Sequence, residues 1–113
     1  MPQYLYRLRP ARQAMLTEGP TEAESAAIEA HFAYLQALVA AGALILAGRT
    51  LNSDATTFGV AIFSAPDPES AEATMSDDPA VAAGVMSAEL FPFHTALIAA
   101  ANAAPCPSGL PPA

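Results

Sequence analysis

A long helix with a recognisable start and stop constrains this chain more than any other feature. Thr21 and Glu24 have the spacing of a capping box, in which the threonine oxygen accepts from the Glu24 amide and the glutamate reaches back. Gly42 stands where a left-handed residue closes a helix. Together they predict a helix over residues 22–41. Its apolar stripe runs Ile28, His31, Leu35, Leu38 and Gly42, in steps of three and four, so all five share one side. Imidazole is the side chain that titrates nearest neutral pH. Aimed at a core, His31 is either hydrogen-bonded packing or the centre of a pocket.

Shorter elements surround this helix. Residues 4–9 (YLYRLR) read as a first strand, followed by a loop over 11–20. Residues 43–47 (ALILA) form a second strand ended by Gly48, and 51–56 form a turn cluster. A third strand covers 57–64, with Phe58, Val60 and Ile62 on one face. Pro66-Asp67-Pro68 opens a second helix over 69–75, which Asp77-Asp78-Pro79 breaks, because the residue before a proline is pushed out of helical geometry. Residues 79–83 add one helical turn. A fourth strand over 85–91 alternates Met86, Ala88 and Leu90 with Val85, Ser87, Glu89 and Phe91, and Pro92 marks an edge or a bulge.

The order is strand, helix, strand, strand, helix, strand, the α+β ferredoxin-like βαββαβ sandwich with both helices on one sheet face. A second copy of the chain packed sheet to sheet would cover the other face and make a homodimer. Residues 1–99 make one domain, in keeping with a length of 113. Residues 100–113 hold four prolines and Cys106 and are expected to form a disordered tail.

Composition excludes several functions. The net charge is −7, and the cationic side chains are Arg7, Arg9, Arg12 and Arg49, with no lysine. Nucleic-acid binding needs several phosphate contacts, so neither nucleic acid nor an anionic membrane is expected as a partner. No apolar run is long enough to span a membrane, and no charged-then-apolar leader opens the sequence. A lone cysteine has no partner for an intrachain disulfide, and a cytoplasmic protein is expected. Glu-x-x-His pairs, cysteine pairs and glycine-rich phosphate loops are missing, so no metal and no cofactor is expected.

Three stretches together resemble the YCII-related family of small dimeric α/β barrel proteins. They are AHFAYLQALVAAGALILAGRT, with a histidine early in the helix, then FGVAIFSAPDPESAEATM, then DDPAVAAGVMSAELFPF. The resemblance covers about residues 3–95, and it rests on the order and spacing of the stretches. It implies a ferredoxin-like protomer, back-to-back sheets in a dimer and one pocket per protomer. It also implies a histidine–aspartate pair, which falls by position on His31 and Asp78. Members resemble enzymes of aromatic degradation, including a dehydrochlorinase. Many relatives carry an arginine three residues before the histidine, where this chain has Ile28. If that arginine holds a substrate carboxylate, this protein lacks the contact or uses another arginine.

The chemistry implied is proton abstraction. A carboxylate bonded to one imidazole nitrogen selects the tautomer and leaves the other nitrogen free as a base, here for a proton next to a carbonyl. The leading expectation is a small lyase or isomerase, with His31 as base and Asp78 as its orienting partner, acting on a small acidic or carbonyl-bearing compound. The alternative is a non-enzymatic metabolite-binding or regulatory module of the same fold. A structural reading also stands, in which Asp78 caps the turn at Pro79 and His31 is satisfied core. Arg49, after Gly48, is a candidate to hold a substrate carboxylate in two parallel hydrogen bonds, and Arg7 is its equal rival. Glu89 and His94 read as surface residues.

Overall fold

The computed structural model describes residues 1–103. The elements are β1 (Gln3–Pro10), α1 (Ala14–Thr17), α2 (Glu22–Ala40), β2 (Leu44–Arg49), β3 (Gly59–Ser64), α3 (Pro68–Ser76), α4 (Pro79–Ala82), β4 (Met86–Phe93) and α5 (Ala100–Ala103). The four strands form one sheet in the order β2-β3-β1-β4, with every neighbouring pair antiparallel. This is the α+β ferredoxin-like arrangement expected from the sequence. The expected tail falls partly on α5, and residues 104–113, with Cys106, lie outside the described residues.

Local chemistry sets both ends of α2. Thr21 accepts from the Glu24 amide at 3.1 Å, and Glu24 accepts from the Thr21 amide at 2.8 Å, which completes the capping box. At the other end Gly42 has φ of +77°, where a side chain is strained. The Ala43 amide then donates to Leu38 at 3.0 Å and the Gly42 amide to Val39 at 2.9 Å. Those two bonds satisfy carbonyls that the helix end would otherwise leave open. The chain turns at this point directly into β2.

Strand limits differ from the sequence reading for identifiable reasons. Gly48 does not end β2, because Gly48 and Arg49 continue the ladder opposite Val60 and Gly59. β3 starts at Gly59 because Thr57 is held in a turn, its amide donating to Asp54 at 3.1 Å. β4 runs through Pro92 to Phe93. It is an edge strand paired only with β1, so a residue without an N–H is tolerated there.

The core lies between the sheet and the helices. Tyr4, Tyr6 and Leu8 alternate inward along β1, beside Ala61 and Phe63 of β3, and meet Leu35, Ala65 and Ala71. Tyr6 meets the Phe63 ring edge-on, with centroids 5.7 Å apart. Met86, Ala88 and Leu90 pack against the same cluster. By the strand period, Leu5 and Arg7 of β1 and Glu89 and Phe91 of β4 take the opposite, helix-free face.

Candidate active site

Asp78 is the N-cap of α4, placed by the Asp-Pro junction that ends α3 and starts the next turn. Its Oδ1 accepts from the Ala80 amide at 3.0 Å. This is the capping role that the structural reading assigned to it. Yet the side chain is completely buried, and one backbone donor does not compensate a buried carboxylate. Two further side chains do. His31 Nδ1, on α2, lies 2.8 Å from Oδ1 and 2.7 Å from Oδ2. Tyr6, on β1, donates its hydroxyl to Oδ2 at 2.8 Å. Three elements distant in sequence therefore converge on one carboxylate, and capping and pairing coexist.

The electrostatics fit this arrangement. Burial, reinforced by the charge on Asp78 and the hydrogen bond to it, pushes the Tyr6 phenol far above the usual tyrosine range. Tyr6 is therefore a permanent donor. Tyr34 of α2 is also raised, by burial and by the charges of Asp77 and Asp78, and it donates to the Thr74 carbonyl at 2.7 Å.

His31 has a second ring nitrogen. With Nδ1 engaged by Asp78, Nε2 has no partner among the described residues, and it is not sealed from solvent. The ring lines a pocket of about 350 Å³. Leu8 and Pro10 of β1, Ile28, Phe32 and Leu35 of α2, and Met86 of β4 contribute apolar wall. Leu16, from the segment before α2, also reaches it. Ala47, Gly48, Arg49, Thr57, Phe58, Gly59 and Val60 complete the side near the β2–β3 connection. The backbones approach closely there, since a Cβ on Gly59 would meet the Gly48 carbonyl oxygen at 3.3 Å. The Thr57 hydroxyl is already committed to the Asn52 carbonyl. His31 Nε2 and the Arg49 guanidinium are the polar groups of this lining without a protein partner among the described residues. No cluster suited to a metal ion occurs among the described residues.

The two arginines separate clearly. Arg49 lines the pocket and has no acidic partner among the described residues. Arg7 does not line it. It sits opposite Glu89 on the helix-free face, donates to that carboxylate at 2.5 Å and lies 5.8 Å from the centre of the Phe91 ring. The guanidinium holds the Glu89 carboxyl below the usual carboxylate range. His94 is exposed beyond β4, away from His31. Ile28, one turn before His31, lines the pocket wall.

Tyr6 lies in the first strand expected over residues 4–9 and was not among the candidate site residues. It faces the core with Tyr4 and Leu8, and nothing local in the sequence signals that its hydroxyl meets a residue 72 positions away.

The sequence profile of the YCII-related domain matches residues 4–94. The chain belongs to this family. No curated protein sequence matches this YCII-related protein. Among solved structures it is similar to 5-chloro-2-hydroxyhydroquinone dehydrochlorinase (TftG) from Burkholderia phenoliruptrix AC1100, in complex with 2,5-dihydroxybenzoquinone. The TM-score is 0.59 at 20% identity, over 80% of this chain and 93% of that one. At this identity the likeness is one of fold. Among the described residues of the YCII-related chain, no helix is long and apolar enough to cross a membrane.

Proposed function

We propose that this protein is a small lyase or isomerase in which His31 is the general base and Asp78 its orienting partner. The observation that carries the reading is the division of the His31 ring, with Nδ1 against a buried carboxylate and Nε2 unpartnered at a pocket. Nε2 takes a proton from a carbon next to a carbonyl. The C–H electron pair becomes a new double bond, and a halide on the adjacent carbon leaves with its own bonding pair. If no halide is present, returning the proton to a different carbon shifts the double bond. Asp78 stabilises the imidazolium formed meanwhile. The substrate is a small compound with an acidic or carbonyl group, and Arg49 receives its anionic end. Arg7, engaged with Glu89 on the other face, is the weaker candidate for that contact.

The same reading pairs two copies of the chain through the helix-free face. Half-buried Leu5, Val60 and Ile62 and exposed Phe91 and Phe93 support that pairing. It also places the protein in the cytoplasm, in keeping with a single cysteine.

The direct test is chloride release from chlorinated hydroxyhydroquinones by the wild type and by His31→Gln. The wild type should release chloride and the variant should lose about a hundredfold or more of the rate. Release that is unchanged in the variant overturns the assignment of His31. A second reading has its own observation. Ile28 puts an apolar side chain in the pocket wall one turn before His31, where the family resemblance implies an arginine, and this favours a metabolite-binding module. Such a module would bind the same compounds with no turnover, and His31→Gln would retain affinity.

A further inference from the structure

The proposed function uses His31 and Asp78 and leaves Tyr6 unexplained. Tyr6 is fully buried, yet it carries a hydroxyl into the core where phenylalanine would fill nearly the same space. Burying a hydroxyl is unfavourable unless it is hydrogen-bonded, and this one spends its proton on Asp78 Oδ2 at 2.8 Å. The capping bond from Ala80 goes to the other oxygen, Oδ1. Asp78 therefore keeps its place at the start of α4 without Tyr6. What the hydroxyl adds is a second donor on the oxygen that lies 2.7 Å from His31 Nδ1.

We propose that Tyr6 is a positioning residue that sets, through Asp78, how tightly His31 holds a proton. A donor on a carboxylate oxygen draws charge away from the neighbouring imidazole and keeps the carboxylate a poor proton acceptor. With Tyr6 in place, the Nδ1 proton stays on His31 and Nε2 remains a free base over more of the neutral range. Without it, the carboxylate charge is less spread, the imidazolium is better stabilised, and less free base is present at a given pH. Tyr6 keeps its own proton throughout, since its phenol does not ionise in the working range. The other titratable groups around the site are Tyr34 on α2, which donates to Thr74, Asp77 at the end of α3, and Arg49 at the pocket. None of these hydrogen-bonds to Asp78 among the described residues.

The catalytic consequence rests on the function proposed above, but the coupling can be read without a substrate. Imidazole NMR would follow the titration of His31 in the wild type, in Tyr6→Phe and in Tyr4→Phe. Tyr4 lies on the same face of β1 and packs on the same Phe63 ring, 6.1 Å between centroids, without touching Asp78. Tyr6→Phe should move the His31 midpoint upward by about half a pH unit or more. Tyr4→Phe should leave it in place. If the protein turns over substrate, the acid limb of its pH–rate profile, where His31 loses its proton, moves with the midpoint while KM holds. A midpoint in Tyr6→Phe equal to that of the wild type overturns the proposal, whatever the activity. A shifted midpoint in a protein that turns nothing over supports the coupling and counts against the catalytic reading alone.

Discussion

Arg12 grips Glu24 through two hydrogen bonds, Nε to Oε2 at 3.0 Å and Nη2 to Oε1 at 2.6 Å. The contact ties the segment after β1, whose Leu16 reaches the pocket, to the first turn of α2, which carries His31 about two turns further on. Glu24 also completes the capping box with Thr21, so one carboxylate secures both the helix start and the segment beside it.

That double use makes folding stability depend on acid. Arg12, and then the Thr21 amide, hold the Glu24 carboxyl at about 2, below its ordinary 4.5. A carboxyl whose value is lower in the folded state adds stability that is fully present above its unfolded value. The contribution is lost as the pH falls towards the folded value. Glu24→Gln keeps a side chain that can close the capping box but removes the charge. The wild type should therefore exceed the variant in urea midpoint at about pH 6, and the gap should close as the pH approaches about 2. A gap independent of pH would falsify the assignment.

Removing the shared acceptor at the site should be far more damaging than softening it. Asp78→Ala leaves His31 Nδ1, the Tyr6 hydroxyl and the Ala80 amide without the oxygen they share. Urea denaturation should show a loss of about 3 kcal/mol or more, the range seen when a buried polar network loses its centre. Asp78→Asn retains one accepting oxygen and should lose less. If Asp78→Ala costs under about 1 kcal/mol, the buried carboxylate is not what holds these elements together.

The two arginines give opposite expectations. Titration calorimetry with 2,5-dihydroxybenzoquinone as the probe should show Arg49→Gln binding about tenfold more weakly, as expected for the loss of a charge-assisted hydrogen bond. Arg7→Gln should bind like the wild type, because Arg7 is bonded to Glu89 on the face away from the pocket. Equal weakening by both substitutions would mean that the anionic end of the ligand is not held at Arg49.

Features carried by neighbours in sequence were legible from the chain. The Thr21–Glu24 box, the stop at Gly42 and the break at Asp78-Pro79 each follow from backbone geometry within a few residues. Strand alternation likewise separated Met86, Ala88 and Leu90 from Ser87 and Glu89. The end of β2 was misread because Gly48 is a local signal, whereas the ladder opposite Val60 is not local. Arg7 looked equivalent to Arg49 because residue type alone does not say which sheet face holds a pocket. The alternation of Tyr6, Arg7 and Leu8 already put Arg7 on the other face from Tyr6.

Local sequence alone carried both ends of α2, the break between α3 and α4, the alternation of residues along the strands and, through family resemblance, which histidine and aspartate to watch. These are short-range consequences of backbone geometry, side-chain period and spacing. That Tyr6, His31 and Asp78 meet follows from tertiary packing alone. Their separations of 47 and 72 residues are closed by packing α2 and α4 against one face of the sheet. The physical reason is the buried carboxylate, since a charge sealed from water is tolerated only where the fold brings enough donors to it.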